Sequence, residues 1–93
     1  MPYRSLTAVA GKVGTDEQTM LEFQRAGWIQ VVVKDGRSFV SAPDEYRCRF
    51  ILHLRRKLKL SDHEIEIVLA HEQSPYSVAQ VSTILARHAA GKL

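Results

Sequence analysis

Four histidines, His53, His63, His71 and His88, and the single cysteine Cys48 are the residues of this 93-residue chain best suited to metal or nucleophilic chemistry. A protein zinc site draws three or four ligands together, and these histidines show no such ligand spacing. His63-Glu64 begins like an H-E-x-x-H motif, but Ile67 stands where the second histidine must share the helical face. His63 and His71 fall on a similar helical face two turns apart and read as surface residues. Cys48 lies between Arg47 and Arg49, which would lower its thiol pKa at an exposed site. A lone small thiol is more often a core residue, and that is the expectation for Cys48. Without a dinucleotide fingerprint, a Walker loop, a nucleophile elbow or a paired-carboxylate pocket, the chain reads as non-enzymatic, with no catalytic residue, cofactor or metal.

Partner binding is the chemistry that remains, and charge placement bears on it directly. Thirteen Lys and Arg against ten Asp and Glu give a formal charge of +3, which permits a nucleic-acid or acidic partner without requiring one. Residues 15–26 carry Asp16, Glu17 and Glu22 against Arg25 alone. Residues 43–59 are basic, through Arg47, Arg49, Arg55, Arg56, Lys57 and Lys59. The following segment is acidic, through Asp62, Glu64, Glu66 and Glu72. Neighbouring helices of opposite sign are expected to compensate one another in part. The lone cysteine, the absence of a continuous apolar run near the start and the brevity of Val31-Val32-Val33 lead to the expectation of a cytoplasmic, non-membrane protein.

The elements that must position these charges are written in periodicity and punctuation. Ser5 caps a first helix with Leu6, Val9, Ala10 and Val13 inward, stopped by Gly14. A Thr15-x-x-Gln18 capping box opens a second helix with Met20, Leu21, Phe23 and Ala26 inward, closed by Gly27. Trp28–Val33 and Arg37–Ser41, on either side of a Lys34-Asp35-Gly36 turn, predict a two-stranded hairpin. Trp28, Val31 or Val33, and Phe39 are expected to press it onto the helices. Ser41 or Ala42, with Pro43 at the first helical position, predicts a long helix over about 43–59. Its stripe is Arg47, Phe50, Ile51, Leu54 and Leu58. A Ser61-x-x-Glu64 box opens a fourth helix with Ile65, Val68 and Leu69 inward. Ser74-Pro75-Tyr76-Ser77 breaks it, and Val78, Val81, Ile84 and Leu85 line a last one ending near Ala90-Gly91.

This order resembles the MerR-like winged helix-turn-helix superfamily over about residues 5–73. The resemblance rests on Leu6-Thr7-Ala8-Val9-Ala10, the Gly14-Thr15 turn, Leu21 with Phe23, Ala26-Gly27-Trp28-Ile29, and His53 through Leu60 followed by Ser61 and Ile65. It implies a mainly α fold, with a two-stranded wing and about five helices. Residues 1–76 would form the winged domain and 77–93 a terminal helix for packing or homodimerisation. In DNA-binding members the second helix enters the major groove and a basic wing rests on phosphate. Here Glu22-Phe23 stands where an Arg-Tyr pair is usual, and Ser38-Phe39-Val40 where an arginine-rich run is usual.

Those departures, with Leu54-Arg55-Arg56-Lys57-Leu58-Lys59-Leu60, Ile65 and Val68-Leu69, are similar to the CbpM-type chaperone-modulator branch. The resemblance implies a non-enzymatic modulator that binds the J-domain of a DnaJ- or CbpA-like co-chaperone and regulates its action on Hsp70. Asp16, Glu17 and Glu22 would face the basic J-domain helix, with Phe23 or Trp28 as apolar anchors if exposed. The alternative is a MerR-like transcriptional regulator or excisionase-like architectural protein. For it, Thr15, Gln18, Thr19 and Arg25 would approach the groove of double-stranded DNA, Lys34 and Arg37 would flank it, and Arg55 or Arg56 would touch phosphate.

Overall fold

A computed structural model describes residues 3–71 and 80–91. Among the described residues, five helices and a small three-stranded antiparallel sheet make up a mainly helical fold. The order is β1 (Tyr3–Ser5), α1 (Leu6–Val13), α2 (Glu17–Arg25), β2 (Val32–Lys34), β3 (Arg37–Ser41), α3 (Ala42–Arg56), α4 (Asp62–His71) and α5 (Val81–Ala89). These form two compact units, Met1–Arg49 and Phe50–Leu93, whose boundary falls within α3.

In the first unit, Ser5 caps α1 by accepting the Ala8 N–H through its hydroxyl at 3.2 Å. Gly14 ends the helix at φ 82°, and the Thr15 N–H turns back to the Ala10 carbonyl at 2.8 Å. This six-residue closure needs a left-handed residue, which glycine supplies without steric cost. The cap of α2 is Asp16, one residue later than the expected Thr15 box, accepting the Thr19 N–H at 2.7 Å. A carboxylate there meets the positive end of the helix as well as its free amides, an advantage the Thr15 hydroxyl lacks. The Thr19 amide, and then its hydroxyl, hold the Asp16 carboxyl below the ordinary value of 3.8. Gly27, at φ 80°, closes α2 in the same way as Gly14 closes α1, with the Trp28 N–H bonded to the Phe23 carbonyl at 2.9 Å.

That closure holds Trp28 and Ile29 as buried residues of a turn, so β2 begins at Val32 and not at Trp28. Asp35 and Gly36 both take positive φ, as a two-residue hairpin turn requires. The sheet has a third strand that the sequence does not announce. β1 pairs with β3 in the register Tyr3↔Ser41, Arg4↔Val40, Ser5↔Phe39, while Val32↔Phe39 and Lys34↔Arg37 pair β2 with β3. Three residues of mixed polarity show no alternation, and β1 is defined only by the β3 edge it satisfies. Of the hairpin residues expected to face inward, Val33 is 68% exposed and Phe39 half-buried, whereas Val40 is buried. The register places Val33 on the side of Val40 and opposite Phe39, so neither face is buried along its whole length, and burial is confined to the α3 end of β3, at Val40 and Ser41.

Leu6, Val9, Ala10, Met20, Phe23, Trp28, Ile29, Val40 and Cys48 are the buried apolar side chains of this unit. Ser41 caps α3 by accepting the Asp44 N–H, so Ala42 is its first residue and Pro43 its second. Arg47 donates from Nε to the Trp28 carbonyl, tying the third helix to the chain leaving α2.

In the second unit, Phe50, Ile51, Leu52 and Leu54 of α3 are buried, but the helix stops at Arg56 and Leu58 is 39% exposed. The expected extension to residue 59 is cut short because Lys59 adopts φ 55° and the Leu60 N–H returns to the Leu54 carbonyl at 3.1 Å. A lysine in that conformation is strained. Lys59→Gly is expected to raise stability by about 0.5–1 kcal/mol, measured as a higher melting temperature. The Ser61–Glu64 box forms reciprocally, at 3.2 Å from the Glu64 N–H to the Ser61 hydroxyl and 3.0 Å from the Ser61 N–H to the Glu64 carboxylate. Ile65, Val68 and Leu69 of α4, and Val81 and Ile84 of α5, are buried as their spacing predicts. The Ser74–Ser77 break and Val78 lie outside the described residues.

Candidate functional site

The glycine closures at Gly14 and Gly27 bound α2, which packs one side inward and leaves the other to solvent. Met20 and Phe23 point inward, so Asp16, Glu17, Gln18, Glu22, Gln24 and Arg25 are all exposed. The outward face is therefore acidic. Its three acids are not equivalent. Asp16 is the helix cap, and Glu17 accepts the Thr7 hydroxyl at 2.6 Å, fixing the start of α2 to α1. The Glu22 carboxylate has no hydrogen bond or ion pair among the described residues, which leaves it free for a partner.

Phe23 and Trp28 are not exposed anchors. They are 1% and 6% exposed, and their rings meet at 5.6 Å between centroids, tilted by 36°. The helical period that puts Glu22 outside puts Phe23 inside, and the turn-back at Gly27 carries Trp28 under the helix end. The Trp28 indole N–H is buried with no hydrogen-bond partner among the described residues, a cost of about 1–3 kcal/mol that the packing of the ring must offset.

The residues assigned to the DNA alternative are scattered in character. Thr15 and Thr19 are half-buried, while Gln18, Arg25, Lys34, Arg37 and Arg56 are exposed. Arg55 is half-buried and pairs with Asp62 at 3.0 Å, so the opposite charges of α3 and α4 meet there. Arg49 turns instead to Glu45 of its own helix at 3.5 Å, joined by Lys12 at 3.4 Å and Arg4 at 4.0 Å. Three cations around one carboxylate form a surface cluster of which sequence spacing reveals only the Arg49–Glu45 pair, four residues apart on α3, since Lys12 and Arg4 come from α1 and β1. Glu17 and Arg37 line one shallow depression together with Ser5, Thr7 and Phe39. An anionic strand reaching Arg37 along that depression meets the Glu17 carboxylate beside it.

Cys48 is fully buried, and desolvation, then the nearby Asp44 and Glu45 charges, push its thiol up to about 12. It is a protonated core group, which is the opposite of an activated nucleophile. The histidines that the structure brings together are His63 and His88, edge to face at 6.4 Å, and not His63 and His71. Among the described residues no three metal-ligating side chains converge, and no helix is long and apolar enough to cross a membrane.

Comparison with known proteins yields no matching family model, curated protein or solved structure.

Proposed function

We propose that the chain is a non-enzymatic protein-interaction module of the winged helix-turn-helix type, which uses the outer face of α2 to bind a basic protein surface. The finer reading is a chaperone modulator whose partner is the J-domain of a DnaJ- or CbpA-like co-chaperone, with α5 as a candidate homodimer element. The observation that carries it is the acidic outer face of α2, with Glu22 unengaged at its centre and every large apolar side chain of the helix turned inward or half-buried. An acidic helix is repelled by phosphate and attracted to a cationic helix, and such complementarity acts mainly on encounter and register. With Phe23 and Trp28 in the core, the apolar part of the contact falls to Leu21, which is half-buried at the helix side.

Titration calorimetry with an isolated J-domain tests the reading. Binding is expected without nucleotide or metal, weakened about tenfold by Glu22→Lys and weakened further by salt. Absence of heat with the protein at tens of micromolar, or an unchanged affinity in Glu22→Lys, would reject it. A DNA-binding reading draws on the exposed Lys34 and Arg37 at the hairpin tip. Its signature is duplex retention that falls steeply with salt and is lost in Arg37→Glu.

A further inference from the structure

The outward face of the sheet carries a second surface, independent of the α2 reading. Paired residues of an antiparallel sheet project to the same side, so the register puts Tyr3, Ser5, Val32, Lys34, Arg37 and Phe39 on one face. At the α3 end of β3 both Val40, on the other face, and Ser41, on this one, are buried, while Tyr3, Val32, Lys34 and Arg37 of this face are exposed. Tyr3 and Val32 flank Phe39 and are 51% and 41% exposed, and these three with Lys34 line an apolar depression. Beside it Lys34 and Arg37 stand directly opposite one another, with no carboxylate paired to either among the described residues. Like charges in that position destabilise a hairpin. Among the described residues the outer edge of β2 is unpaired, since the strand order is β1-β3-β2.

From this arrangement we infer that the sheet face and the open β2 edge receive an extended acidic peptide carrying an apolar residue two positions from an Asp or Glu. A strand added to β2 repeats its period of two. An apolar side chain beside Val32 covers the Tyr3–Phe39–Val32 surface, and the residue two positions along then lies beside Lys34, where a carboxylate neutralises the Lys34–Arg37 pair. An acid only one position along points to the opposite face. Single-stranded nucleic acid fits less well, because it presents a row of phosphates to only two cations.

The test compares two fluorescein-labelled peptides of identical composition by anisotropy, one centred on Phe-Thr-Glu-Thr-Glu and one on Phe-Glu-Thr-Glu-Thr. The first is expected to bind at least about fivefold more tightly. Lys34→Glu and Val32→Thr, both at exposed positions, are each expected to reduce its affinity severalfold, with Trp28 fluorescence confirming that the variants are folded. Equal affinity for the two peptides would overturn the register. Absence of binding to either up to about 1 mM, or preferential binding of an oligothymidylate strand, would overturn the choice of ligand. Self-association that Lys34→Glu abolishes, without peptide binding, would assign the face to a second copy and equally overturn the proposal. No J-domain enters these measurements, so their failure is distinct from failure of the α2 reading.

Discussion

Phe23→Ala is expected to remove about 3–5 kcal/mol of stability, read as a large fall in the urea midpoint followed by Trp28 fluorescence. The side chain is 1% exposed and its ring meets Trp28 at 5.6 Å, so truncation loses the transfer energy of the phenyl group and leaves a cavity beside the indole. A domain of this size holds only about 5–10 kcal/mol in total, and the loss is therefore a large share of it. The same substitution separates the two roles open to Phe23 in the sequence. An exposed anchor would lose partner affinity while leaving the urea midpoint almost unchanged. The adjacent Glu22→Lys provides the contrast, because an exposed charge change moves stability by no more than about 0.5 kcal/mol while the J-domain contact weakens. An unshifted midpoint in Phe23→Ala would show that the helix phase is wrong, and with it the acidic outer face.

Alkaline pH is expected to destabilise the protein through Cys48. Burial first, then Asp44 and Glu45, raise the folded-state thiol from 9.0 to about 12. A group raised in the folded state contributes its full stability below the unfolded value and loses it as pH rises through the folded one. The window therefore runs from about pH 9 to about pH 12, across which roughly 4 kcal/mol is lost. Lysines and tyrosines titrate in the same range, so the measurement is the difference between the wild-type protein and Cys48→Ala. Near neutrality the alanine variant is expected to be less stable by about 1 kcal/mol for its lost packing. The gap closes and reverses as pH passes 10 to 11. Thiol labelling gives a second readout, since at pH 8 the native ionised fraction is about a thousandfold below that of an unfolded thiol. Fast labelling of the folded protein, or a constant stability gap across the window, would contradict the buried placement.

Cys48 also shows how far local sequence reasoning reaches. Its flanking arginines are equally compatible with an activated thiol, and the prior for a buried lone cysteine favours the core that the structure displays. The Glu45 cluster as a whole has no comparable signal. Only the Arg49–Glu45 pair, four residues apart on α3, has a sequence signature; Arg4 and Lys12 lie far upstream of Glu45, and the folding of β1 and α1 beside the start of α3 brings them to its carboxylate.

Helix starts, stops and inward faces are set by interactions within about one turn, and Ser5, Gly14, Gly27, Asp35-Gly36 and the Ser61–Glu64 box could all be recognised from the residues themselves. The exclusion of a histidine zinc motif and the acidic character of the second helix were legible for the same reason, since both depend on spacing along one segment. Pairing and phase required the assembled fold. β1 exists because the β3 edge accepts it, Val40 is inward because of the register that pairing imposes, and Phe23 and Trp28 are core residues because the Gly27 closure turns the chain beneath α2. Each of these depends on where another segment of the chain lies, and a single residue of displacement along a strand, or one helical step of 100°, converts a binding surface into a core.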